Sequence, residues 1–139
     1  MSRHFYSDLQ FELPETRPLV ACNMVMSLDG KVTSGGALQP GSIGSAFDLQ
    51  TMQVIRSHFD AVLSGGNTVR QHPYYLGVSA ELEHARKERG LASQPLSVVL
   101  TRSGSLNPGT PLFKNPPRPP IVLTGAAGAA SLAPEIKAK

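Results

Sequence analysis

Residues 61–70, AVLSGGNTVR, pass from a short apolar run into two glycines, an asparagine and a threonine. Small residues at such a junction let a ligand approach the backbone, and the first amides of a following helix are unpaired donors that favour an anion. Gly65, Gly66, Asn67 and Thr68 are therefore candidates for gripping phosphate, with the Thr68 hydroxyl and the Arg70 guanidinium as further donors. A helix end contributes only about 0.3–1 kcal/mol at an exposed site, so several N–H bonds must act together. The same residues serve equally well as a plain strand-to-helix turn capped by Asn67 or Thr68. No Gly-Lys-Ser/Thr follows the glycines and no G-x-G-x-x-G is present, which excludes a Walker loop and a Rossmann fingerprint.

A second block, Asn23-Met-Val-Met-Ser-Leu-Asp-Gly-Lys-Val32, ends in turn chemistry at Ser27–Gly30. In a strand Asn23 and Cys22 face opposite ways, so Asn23 calls for a polar pocket, while Cys22 among apolar neighbours reads as a buried, inert thiol. His58, near a helix end, reads as a structural histidine. No His, Cys or carboxylate group has metal-ligand spacing, so no metal is expected.

Several elements must position these residues. Leu19–Met26 is nearly continuous apolar sequence, as expected of a central strand covered on both faces. Residues 33–45, rich in glycine, read as a mobile loop. Ser45 or Asp48 opens a helix over 46–58 with Leu49, Met52, Ile55 and Phe59 on one face. Residues 60–64 form a second strand, and Pro73 stops the helical turn that follows the glycines. Ser79 caps a charged helix closed by Gly90, and 96–100 and 121–124 supply two more strands. The six prolines between them forbid regular structure, and 125–139 begin a helix. Strands alternating with helices give an α/β domain over 18–139 with a mostly parallel sheet flanked by helices, preceded by an arm over 1–17.

The 139 residues suit one domain, and 40% hydrophobic with 17% charged residues is a globular composition. A net charge of +3 spread along the chain, with no basic run, gives no support for nucleic-acid binding. No signal peptide or membrane span is legible, which makes the cytoplasm the expected location.

The Asn23–Val32 block, the glycine loop, the amphipathic helix, the Asp60–Arg70 junction and Ser97-Val-Val-Leu-Thr-Arg102 together resemble the reductase domain of bacterial riboflavin biosynthesis, in the dihydrofolate reductase-like superfamily. The resemblance spans about residues 17 to 125. It implies NADPH-dependent reduction of a phosphoribosylamino-pyrimidine to its ribitylamino form, in a homodimer. It also implies that Gly65, Gly66, Asn67 and Thr68 hold the cofactor diphosphate and that Thr101, Arg102 and Ser103 contact the adenosine 2′-phosphate. Asn23, Ser27 and Lys31 then line the substrate side, with Asp29 as the catalytic candidate. His72 stands where the family has an aspartate, and would take over its substrate contact. The family's domain continues for further strands, so the expected sheet is incomplete at its C-terminal end. The alternatives are a non-catalytic relative that binds nucleotide or dimerises, and a reductase of the same fold acting on another pterin or pyrimidine.

Overall fold

The computed structural model describes residues 6–32 and 45–137, so most of the expected glycine loop lies outside the described residues. The described strands are β1 (Ala61–Gly65), β2 (Leu96–Leu100) and β3 (Ile121–Leu123), all parallel in the order β1-β2-β3. Around them run α1 (Ala46–Arg56), α2 (Gly66–Gln71), α3 (Ala80–Glu88), α4 (Pro111–Lys114), α5 (Ala126–Ser131) and α6 (Pro134–Lys137).

Alternation along the strands sends Val62, Ser64, Ser97, Val99 and Val122 to one face of the sheet. That face carries the core, in which Val99 meets Val69 of α2, Leu106, Leu112 and Phe113 of the α4 region, and Ile136 of α6. Burying side chains of this size contributes about 1.5–3 kcal/mol each. The opposite face leaves Leu63, Leu100, Ile121 and Leu123 exposed.

Four expectations are corrected. Leu19–Met26 forms no strand and is largely exposed, with Val20 82%, Met24 67% and Met26 67% accessible. An apolar run becomes a strand only beside a partner edge, and no described strand lies against this one. For the same reason Cys22 is exposed and not buried. The proline-rich stretch does contain a helical turn, α4, because Pro111 occupies a first-turn position where a missing N–H costs nothing. Finally, α1 buries Thr51 and Val54, not the Leu49–Met52–Ile55 stripe. Its C-terminal end is held by hydrogen bonds from Arg86 of α3.

Other expectations hold. Ser45 caps α1 by accepting from Asp48 N–H at 3.3 Å, and Gly90 ends α3 with φ +76°. Separately from these expectations, the Phe11 ring lies 5.1 Å from that of Phe59.

The loop after β2 crosses the start of α5 at Gly104 and Gly128. Gly104 has φ +67°, and a Cβ there would lie 2.8 Å from the Gly128 carbonyl carbon, with the carbonyl oxygen closer still. Backbone on both sides leaves nothing to yield. Gly104→Ala is therefore expected to cost roughly 2–4 kcal/mol, combining left-handed strain with overpacking. A urea-denaturation midpoint unchanged from wild type would refute this.

Candidate functional site

The parallel register sets Gly65 opposite Leu100, so the residues that follow them, Gly66 and Thr101, emerge side by side at the carboxyl ends of β1 and β2. Gly65 takes the N-cap position in extended geometry, and neither Asn67 nor Thr68 is the cap. Gly66 and Val69 are the buried positions of α2, three apart and hence on one face. α2 packs on both β1 and β2.

Gly66 lies so close to the next strand that a Cβ would stand 2.8 Å from Thr101 Oγ1 and 2.9 Å from Thr101 Cβ. Thr101 is itself 6% exposed, and its N–H donates to the Leu123 carbonyl at 3.0 Å. Arg102 is exposed, and Ser103 Oγ accepts from the Ser105 N–H at 3.3 Å. The glycine turn and the Thr101–Ser103 loop, separate in sequence, thus form one small-residue edge. Beside Gly65 a Cβ would meet nothing within 4 Å, so the backbone there is open to the close approach a dinucleotide phosphate requires, whereas the space beside Gly66 is taken by Thr101. Because α2 has only six residues, its dipole is a minor contributor beside the individual amides.

The Asn23–Lys31 block is organised within itself. Ser27 N–H donates to Lys31 O at 2.8 Å, Lys31 N–H to Ser27 Oγ at 3.1 Å, and Ser27 Oγ–H to Asp29 Oδ1 at 2.5 Å. Gly30, with φ +78°, closes the turn. Lys31 Nζ pairs with Asp29 Oδ2, and this ammonium, followed by the Ser27 hydroxyl, holds the Asp29 carboxyl below its usual pKa. Both groups are exposed, so the pair adds little stability; what it fixes is an ionised carboxylate of defined orientation. Asn23 Nδ2 donates to Met52 Sδ of α1 at 2.6 Å. Among the described residues, no hydrogen bond or ion pair joins this block to the glycine turn or to Thr101–Ser103. His72 follows α2, its N–H donating to Thr68 O at 2.8 Å, and is half-buried.

Sequence reading missed the residue that anchors α1. Arg86 of α3 is fully buried, and its guanidinium donates to the carbonyls of Ala92 (2.7 Å), Arg56 (3.2 Å), Ser57 (3.1 Å) and Phe59 (2.7 Å). Those oxygens include the unpaired end of α1, where a cation is favoured. The signal was present: Arg86 shares the i, i+3, i+4 face of α3 with Leu82 and Ala85. Gln94 was also missed. Buried, it exchanges two hydrogen bonds with the Val78 backbone, each 2.9 Å, and donates to Glu83 Oε1 at 2.7 Å.

His58 is structural as expected. Its Nε2–H donates to Tyr6 O at 3.0 Å, and its Nδ1 accepts from Arg89 Nη1 at 2.9 Å, a pairing that requires the neutral ring. Burial, then the Arg89 charge, lower its pKa from 6.5, opposed by the Tyr6 carbonyl and Asp8. With the folded value below the unfolded one, the stabilisation is complete above pH 6.5 and is lost as pH falls through the folded value. Denaturation midpoints should therefore fall between about pH 7 and about pH 5 by less in His58→Asn than in wild type. Equal slopes in the two proteins would count against the assignment.

No described helix is long and apolar enough to cross a membrane. Among the described residues, no group of three His, Cys, Asp or Glu side chains is placed to hold a metal ion.

No curated protein matches the chain. Among solved structures, a pyrimidine reductase-like protein from Corynebacterium diphtheriae superposes with a TM-score of 0.70 at 19% identity, covering 83% of this chain and 49% of that one. The chain thus spans about half the length of that protein, and the likeness is one of fold. The RibD C-terminal domain model matches residues 18–137, a range that takes in the Asn23–Lys31 block, the glycine turn and the Thr101–Ser103 loop. On that match, this chain belongs to the RibD C-terminal domain family.

Proposed function

We propose that the chain binds NADPH and reduces the ribosylamino group of a phosphoribosylamino-pyrimidine to a ribitylamino group, as a cytoplasmic homodimer. The observation that carries this reading is the contact of Gly66 with Thr101, which merges two sets of phosphate-binding candidates into one edge inside a RibD-type domain. When bound, the cofactor supplies the hydride for the ring-opened, imine-like ribose carbon. The chain's own contribution is placement. Amides at Gly66–Thr68 and the Thr68 hydroxyl hold the diphosphate, and Thr101, Arg102 and Ser103 meet the adenosine end. Asn23, Ser27 and Lys31 meet the substrate, with Asp29 kept ionised beside Lys31 and His72 at the end of α2 as a further contact. Orientation of donor and acceptor accounts for most of the expected acceleration, so no single acid is indispensable.

Calorimetric titration with NADPH, and turnover of the phosphoribosylamino-pyrimidine followed by NADPH absorbance, test the reading. Binding without turnover of that substrate but with turnover of dihydrofolate would move the activity to another branch of the fold.

A scaffold reading is favoured by one observation: Leu19–Met26 and the apolar sheet face at Leu63, Leu100, Ile121 and Leu123 are exposed, as in a chain whose site is completed by further protein. In that reading, neither nucleotide binds to the isolated chain. Sedimentation measures the homodimer directly.

A further inference from the structure

Arg70 is the last-turn basic residue of α2, yet its guanidinium lies back over the start of that helix. Helical side chains lean toward the N-terminus, so a residue four positions after Gly66 covers the Gly66 turn. In keeping with that lean, a Cβ at Gly66 would stand 3.4 Å from Arg70 Nη1. The same Nη1 donates to the Ser105 carbonyl at 3.3 Å, in the loop that begins at Thr101. Arg70 thereby ties the glycine turn to the loop expected to meet the adenosine 2′-phosphate. Among the described residues, no carboxylate forms an ion pair with it. Its remaining N–H groups stay available to an anion.

Arg102 differs. It is exposed, and its side chain makes no hydrogen bond or ion pair among the described residues, so ordering it on a ligand costs the full side-chain entropy. A guanidinium already held by a backbone carbonyl has lost part of that freedom before binding and presents its fork in a fixed direction.

Resting on the NADPH reading above, we propose that Arg70, and not Arg102, is the specificity-determining cation for the phosphorylated cofactor. Its guanidinium grips the 2′-phosphate monoester and so sets the preference for NADPH over NADH. Gly66 is part of the device, because a side chain there would occupy the space across which Arg70 reaches.

The test is isothermal titration of the full chain and of Arg70→Gln, Arg70→Lys and Arg102→Gln with NADPH, NADH, 2′,5′-ADP and 5′-ADP. Thermal midpoints confirm that each variant is folded. For Arg70→Gln the expected result is a loss of about 10- to 100-fold in affinity for NADPH and 2′,5′-ADP, with affinity for NADH and 5′-ADP within about 3-fold of wild type. Arg70→Lys should recover part of the loss, whereas Arg102→Gln, at the adenosine end, should weaken NADPH and NADH alike and leave the ratio of their affinities within about 3-fold of wild type. Equal losses for phosphorylated and unphosphorylated nucleotides would place Arg70 on the diphosphate and overturn the assignment. Wild-type-like selectivity in Arg70→Gln would overturn it while leaving the NADPH reading intact. If the wild-type chain bound neither cofactor, both would fall together.

Discussion

Gly66→Ala is expected to lose NADPH affinity by about 100-fold, equivalent to about 2.7 kcal/mol, and to lose stability by about 1–3 kcal/mol. The steric cause is specific. The new methyl group would sit 2.8 Å from Thr101 Oγ1 and 2.9 Å from Thr101 Cβ, distances that require one of the two segments to move. Thr101 has little freedom to do so, being 6% exposed and fastened through its N–H to Leu123 of β3. The displacement must then fall on the glycine turn and the Thr101–Ser103 loop, the two segments proposed to hold the dinucleotide. Thr101→Gly removes both clashing atoms, so the double variant Gly66→Ala with Thr101→Gly should be more stable than the sum of the single changes by about 1 kcal/mol or more. Strict additivity in that cycle, measured by urea denaturation, would show that the contact does not matter. Unchanged stability with lost NADPH binding would instead locate the effect entirely in the ligand's approach.

Arg86→Met should destabilise the chain by at least about 3 kcal/mol while leaving the nucleotide-binding edge chemically untouched. Methionine approximates the aliphatic stem, so the loss is polar. The carbonyls of Ala92, Arg56, Ser57 and Phe59 lose their shared donor, and each buried acceptor left unmet costs about 1–3 kcal/mol where water cannot reach it. Arg89 also reaches Ser57 O, at 3.4 Å, and cannot replace the other three bonds. Lysine at 86 keeps the charge but not the planar fork, so Arg86→Lys should recover less than half of the loss. Because Arg86 supplies most of the hydrogen bonds that tie α3 to the end of α1, hydrogen exchange in α1 should accelerate more than in β2, whose Val99 is fully buried in the separate core cluster. A denaturation midpoint close to that of wild type would refute the anchoring role.

Local chemistry determined much of this protein from sequence alone. Ser45 opens α1, Pro73 and Gly90 close the helices before them, and short apolar runs bounded by glycine or proline mark β1, β2 and β3, because each signal acts within a few residues of its effect. The strand-to-helix junction at Gly65 and Gly66 was equally legible, since two glycines after a short apolar run mark where the strand ends. Four matters were decided only in three dimensions. Whether Leu19–Met26 becomes a strand depends on a partner edge, and the run carries no information about one. The burial of Arg86 depends on carbonyls contributed by α1, the residues that follow it and Ala92. The meeting of Gly66 with Thr101 depends on the parallel register of β1 and β2. The reach of Arg70 to Ser105 depends in turn on that meeting. Propensity and periodicity are properties of neighbours along the chain, whereas strand pairing, shared hydrogen-bond donors and close backbone crossings belong to segments brought together by the fold, and these are what shape the proposed binding edge.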